Sequence, residues 1–183
     1  MMKNVFKICW FAVLFTLFTL PVFAVKMEIT SVKNDFLVDD QFEVFFKVNA
    51  DGESLNALGG DIEFSSDIFS VVEIRDGGSI VGSWIEKPFV SNDLINFSGI
   101  IPNGYKGVLS PYYSGYKAGK IFSVVFLVKK EGAGYIKISN GKAYLNDGKA
   151  TERNISSDVL SVNVLKTENS VSGVSKKKSV DAT

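Results

Sequence analysis

Asn56-Ala57-Leu58-Gly59-Gly60-Asp61-Ile62-Glu63-Phe64 is the stretch on which the fold turns. Leu58, Gly60, Ile62 and Phe64 share one parity, and Ala57, Gly59, Asp61 and Glu63 share the other. A period of two marks a strand with one buried and one solvated face. The Gly-Gly pair strips side chains from the middle of that strand. Either another backbone lies close against it or the chain bends there. This strand is expected at the centre of a β-sandwich, with Asp61 and Glu63 on an outer face that forms part of a recognition surface.

The flanking sequence repeats the pattern. Before it, Val25–Val32 alternates with Val25, Met27 and Ile29 on one side, and Gln41–Asn49 alternates with Phe42, Val44, Phe46 and Val48 inward. Between the latter and the opening stretch, Ala50-Asp51-Gly52 supplies a turn. After it, Ile68–Ile74 is apolar enough to be a buried strand. Val81–Val90 carries Trp84, Ile85 and Phe89, and its Pro88 points to a sheet edge. Ser91-Asn92-Asp93 turns into Leu94–Ser98, with Ile95 and Phe97 inward. Gly99–Gly119, with two prolines and four tyrosines, reads as a long irregular segment, the kind that is functional or covers a face. Lys120–Lys129 is the most apolar strand; Tyr135–Ser139 and Lys142–Leu145 follow, separated by Asn140-Gly141, which bulges or turns. Asn146-Asp147-Gly148 is a turn, Thr151–Ser157 is polar, and Val159–Leu165 closes the pattern with Val162 and Val164 together. No segment carries a sustained helical stripe. About nine short strands between Gly, Asn and Asp turns make an all-β, antiparallel sandwich of jelly-roll or immunoglobulin-like type.

The ends read differently. Lys3 and Lys7 precede an unbroken apolar run, Ile8–Leu20, then Pro21 and small residues up to Ala24. That is a secretory signal cut after Ala24. The other reading, a membrane anchor, asks for a run of ~20 residues. Residues 1–24 are therefore a signal peptide, 25–166 one β-sandwich domain, and 167–183, rich in Ser and Lys, a disordered polar tail or linker. The protein is expected to be secreted or held at the cell surface, with no stable membrane insertion once the signal is cut. Removing Lys3 and Lys7 from the 20 basic residues leaves 18 against 20 acidic, a net charge of −2. That argues against nucleic acid or an anionic membrane as a partner. The single Cys, Cys9, leaves with the signal, and the chain has no His. Disulfides, Ser–His or Cys–His nucleophiles and the common zinc sites are excluded.

Several motifs, in this order, carry a family resemblance: Leu-Gly-Gly-Asp-Ile-Glu-Phe, Phe-Ser-Val-Val-Glu-Ile, Gly-Ser-Ile-Val-Gly-Ser-Trp, Ile-Asn-Phe-Ser-Gly-Ile-Ile-Pro-Asn-Gly-Tyr-Lys-Gly, Gly-Lys-Ile-Phe-Ser-Val-Val-Phe and Ala-Tyr-Leu-Asn-Asp-Gly. From about Met27 to Leu165 the chain resembles a bacterial cohesin-type module, in the superfamily that also holds sandwich carbohydrate-binding modules. The resemblance implies a nine-stranded jelly roll and a non-enzymatic scaffold role. It implies a dockerin partner, a small calcium-loaded helical module often carried by a polysaccharide-degrading enzyme, the calcium belonging to the dockerin. By position it assigns the partner-binding face to Asp61, Glu63, Asn96 and Ser98. No cofactor or metal is expected in the chain itself.

Other readings of single features stand beside this one. Asp61 and Glu63 also fit a plain solvated sheet face. As a carboxylate pair they invite a glycosidase comparison, but neighbours of one parity on one strand define no cleft. Trp84, Tyr105, Tyr112, Tyr113 and Tyr116 are candidates for stacking on sugar rings, Tyr112, Tyr113 and Tyr116 foremost, which makes a carbohydrate-binding module the alternative function. The competing reading has the tyrosines pin the long segment and Trp84 cap the core. Asn146-Asp147-Gly148 offers oxygens to calcium, but a hairpin turn explains it without a metal. Asn96-Phe-Ser98 and Asn154-Ile-Ser156 match the glycosylation acceptor pattern, a short match common by chance.

Overall fold

The structure, a computed structural model, describes residues 25–109 and 116–166. The described residues form thirteen strands: β1 Val25–Ser31, β2 Asp35–Leu37, β3 Gln41–Asn49, β4 Leu55–Phe64, β5 Phe69–Arg75, β6 Ser83–Ser91, β7 Leu94–Tyr105, β8 Val108–Leu109, β9 Tyr116–Lys117, β10 Gly119–Val128, β11 Gly132–Leu145, β12 Glu152–Ser157 and β13 Leu160–Leu165. The hydrogen-bonded order is β5-β10-β3-β1-β12-β11-β4-β7-β6, with β13 pairing β11 and β2, and β8–β9 a separate hairpin.

Two layers arise from this order. The first sheet is β5-β10-β3-β1. The second is β6-β7-β4-β11, extended by β13 and β2. Strand β12 joins them. Its first residues pair antiparallel with β11 (Lys142 opposite Asn154), and its last pair parallel with β1 (Met27 opposite Ser157). Most neighbours are antiparallel, so one face of each layer can pack while the other meets water. The opening stretch lies in β4, between β11 and β7, as expected for a central strand.

Alternation decides which side chains meet between the layers. Met27, Val44, Phe46, Phe122, Val124 and Phe126 come from the first sheet, and Leu58, Ile62, Ile95, Phe97, Ile136 and Val162 from the second; all are buried. Aromatic contacts cross the gap. Phe97 meets Phe122 edge-on with ring centroids 5.0 Å apart, and Phe64 meets Phe126 at 5.3 Å. Such pairs add about 0.5–1.5 kcal/mol each beyond the area they bury. The core rests on this packing, because no cysteine follows Cys9.

Turn residues set the connections. Asn92 and Asp93, with φ of 50° and 61°, close the two-residue hairpin between β6 and β7 in the geometry that suits strand twist. At Asn146-Asp147-Gly148, Asp147 accepts hydrogen bonds from the Lys149 amide and the Thr151 hydroxyl, so its carboxylate builds the turn.

Three segments depart from the sequence reading. Gly99–Gly119 is not irregular throughout: β7 continues to Tyr105. Ile100 still pairs with Ala57 and Ser83, and Ile101 is buried. Pairing with β4 then lapses until Tyr105 meets Leu55, and Pro102 sits in that lapse, where a missing N–H costs no ladder bond. Ile68–Ile74 is not a buried strand. It forms the edge strand β5, where Phe69 is fully buried but Val72 and Glu73 are exposed. Polar Thr151–Ser157 contains strand β12, whose single buried residue is Ile155. Its neighbours, rather than its own composition, make it a strand.

Candidate functional site

The two outer faces differ in how they are covered. On the first sheet, Arg75 lies between Glu43 (3.5 Å) and Glu73 (2.6 Å). Lys47 and Lys120 stand over the Phe45 ring at 5.9 and 5.7 Å. Ser123 and Val125, on the outward parity of β10, are buried. Over β5, β10 and β3 this face is covered by its own charged side chains, while along β1 a depression of about 490 Å³ lined by Lys26, Glu28, Thr30 and Asn49 remains.

The second sheet is open at its centre. Its register sets out rows that run across β6, β7, β4 and β11. Phe89 stands opposite Asn96, Asn96 opposite Asp61, and Asp61 opposite Ser139. In the next row are Glu86, Ser98, Gly59 and Lys142, and in the row beyond, Ser83, Ile100, Ala57 and Tyr144. The structure therefore brings Asp61, Glu63, Asn96 and Ser98 onto one face.

The glycines explain the opening. Opposite Gly60, β11 carries two residues, Asn140 and Gly141, where one would keep register. Gly141 Cα lies so close that a Cβ on Gly60 would meet it at 2.9 Å. A Cβ on Gly59 would meet Ser98 Cβ at 2.9 Å. The close backbone approach expected of the Gly-Gly pair is thus made by Gly141, and the Asn140-Gly141 alternative resolves as a bulge. The result is a depression of about 340 Å³ floored by Gly59 and Gly60 and walled by Ile85, Glu86, Ser98, Asp61, Asn140 and Tyr144.

The same bulge builds a clamp. Asn140 takes φ of 50° there, and its amide donates to Asp61 Oδ2 at 2.9 Å. From the other side Asn96 donates to Asp61 Oδ1 at 2.6 Å. Asp61 is held in one orientation by two neutral donors that leave its charge in place. Glu63 differs: Lys137, its cross-strand neighbour, reaches it at 2.8 Å. That hydrogen bond, with one from Ser139, holds the Glu63 carboxyl below its ordinary range, and Lys137 is raised in turn. Lys142 is engaged by Glu152 and by Asn154 Oδ1 at 2.8 Å. Apolar groups flank this polar centre: Ile85 is 71% exposed, Phe89 43% and Ile100 43%.

Sequence reasoning missed Asn140, Glu86, Ile85 and Tyr144. Strand alternation could have placed Glu86 and Ile85 on an outer strand, but the register shifts in β6 hide which face each takes. Asn140 was signalled only by the Asn-Gly dipeptide. Trp84 packs against the core and Tyr105 donates its hydroxyl to Lys117 O at 2.7 Å, so both take the packing role. Of the sugar-stacking candidates, Tyr112 and Tyr113 lie outside the described residues, and Tyr116 is described only by its backbone, paired with Leu109.

No protein-family model matches the sequence, and no curated protein matches it. Solved structures do. A type I cohesin–dockerin complex from Clostridium thermocellum (Coh-OlpC-Doc435) contains a chain matching at TM-score 0.61 and 10% identity, over 79% of this chain and 95% of that one. A second such complex (Coh-OlpA-Doc918) matches at 0.57 and 20%, over 78% and 99%. A non-cellulosomal cohesin from the archaeon Archaeoglobus fulgidus matches at 0.58 and 13%, over 78% and 94%. The match spans nearly all of each matched chain at identities that carry architecture alone, and the described domain shares the β-sandwich architecture of cohesin modules.

Proposed function

We propose that this protein is a non-catalytic, exported binding module that docks a dockerin-like protein on the outer face of β11-β4-β7-β6. The observation that carries the reading is the centre of this sheet, where the oriented carboxylate of Asp61 stands beside exposed Ile85, Phe89 and Ile100. Oriented polar groups ringed by apolar surface suit a protein partner. Asp61 is fixed by two amides and Glu63 by Lys137, an arrangement for recognition rather than proton transfer. Two of the matching structures were solved as cohesin–dockerin complexes, which supports a dockerin as the partner class. Residues 1–24 direct export, so that the module works outside the cell or at its surface, and 167–183 serve as tail or linker.

Affinity capture tests this directly. Residues 25–183 are immobilised and challenged with calcium-loaded dockerin modules and, separately, with insoluble polysaccharides. Capture of a dockerin that Asp61→Ala abolishes is expected. Retention on a polysaccharide that Tyr112→Ala with Tyr113→Ala abolishes, without dockerin capture, would replace this reading with the carbohydrate-binding one.

A further inference from the structure

We infer that the depression over Gly59 and Gly60 receives one arginine side chain of the partner, a reading that deepens the docking proposal and names the group the face selects. Charge bookkeeping on the face leads there. Glu63 is offset by Lys137 and Lys142 by Glu152. Asp61 and Glu86 are left: among the described residues neither is paired with a cation. Both line the same depression, Asp61 on β4 and Glu86 two strands away on β6. With strands ~4.8 Å apart and two residues of stagger, their Cα atoms are roughly 12 Å from one another. Both side chains line the depression, so a cation seated in it lies between them.

The walls and floor choose the cation. Ile85 and Tyr144 give apolar contact for a methylene stem. The floor is glycine backbone, flat and without side chains, and admits a planar head close to the sheet. Asp61 is oriented by Asn96 and Asn140, so an incoming donor meets a carboxylate that pays little ordering cost. A guanidinium is planar, always charged and carries five donors, enough for two carboxylates at once; an ammonium is compact and more strongly hydrated. The face itself cannot fill the site, because Lys142, the cation nearest in register, is tied to Glu152 and Asn154.

The test uses N-acetylarginine amide as the probe, titrated into isotope-labelled residues 25–183 and followed by amide chemical shifts. Saturable shifts at Gly59, Gly60, Asp61 and Glu86 are expected. They should weaken at least several-fold with N-acetylcitrulline amide, which keeps the shape and lacks the charge. Asp61→Asn with Glu86→Gln, both isosteric, should abolish them while the rest of the spectrum stays folded. Absent shifts, shifts centred elsewhere, or equal response to citrulline overturn the inference. Dockerin capture is read separately. A captured dockerin whose binding ignores Glu86→Gln and added salt removes the arginine and leaves the docking face. An arginine response without any dockerin capture removes the dockerin and leaves the pocket.

Discussion

Ile62 and Asp61 are adjacent in the chain and opposite in duty. Ile62 is fully buried between the sheets, so Ile62→Ala should cost about 2–5 kcal/mol through lost burial and the cavity left behind. Ile62→Asp should prevent folding, because an unpaired charge would enter the core. Urea unfolding checks the first and circular dichroism the second; an unchanged transition for Ile62→Asp would refute the core assignment. Gly60→Ala makes a sharper case. Its new methyl would meet Gly141 Cα at 2.9 Å, which is backbone and cannot swing aside. A loss of about 1–3 kcal/mol is expected, read as a lower urea midpoint at unchanged slope. At this scale the sequence was most legible where alternation is strict. Parity alone puts Ile62 and Ile95 inside and Asp61 and Asn96 outside. It fails at Asn140, because a bulge adds a residue and resets the count. The second arm of the Asp61 clamp was therefore invisible until β11 was paired with β4.

At the scale of elements, β4 and β11 are tied on the surface by Glu63 and Lys137. The pH dependence follows from the directions of their shifts. Glu63 is lowered in the folded state, so its contribution is present above its ordinary pKa of 4.5 and is lost as pH falls through the folded value. Lys137 is raised, so its contribution is present below its ordinary 10.5 and is lost as pH rises through the folded value. Asp67, Glu73, Asp76, Asp147 and Glu152 are lowered as well, each chiefly by a hydrogen bond from a nearby side chain. Thermal unfolding should therefore be nearly level between about pH 5 and pH 9 and fall below about pH 4, and Glu63→Gln should flatten part of that acid slope. A melting temperature that rises on acidification would contradict it. The elements also show why a sequence reading stops short. Strand β12 has one buried residue and was legible only as polar, since its partners on either side supply the ladder. Strand β7 outran its expected end because Ile101 still packs, and Pro102 falls where no ladder bond is needed.

At the scale of the molecule, one sheet covers its β5-β10-β3 surface with Arg75, Lys47 and Lys120, and the other leaves glycine and a clamped carboxylate facing out. About nine strands were expected and thirteen form among the described residues, because pieces as short as β2, β8 and β9 leave no periodic signature. Sandwich class and the central place of β4 could be read from periodicity. Which face was left open could not, because it depends on long-range pairs such as Arg75 with Glu43. The face around Asp61 is proposed here as the docking surface. Calorimetric titration of residues 25–183 with calcium-loaded dockerins, comparing the native chain with Asp61→Arg, tests it most directly. The native chain is expected to bind, and Asp61→Arg, with the same melting temperature, to lose at least about 100-fold in affinity, which is about 2.7 kcal/mol. Equal binding by the two proteins, or no binding by the native chain, would contradict it.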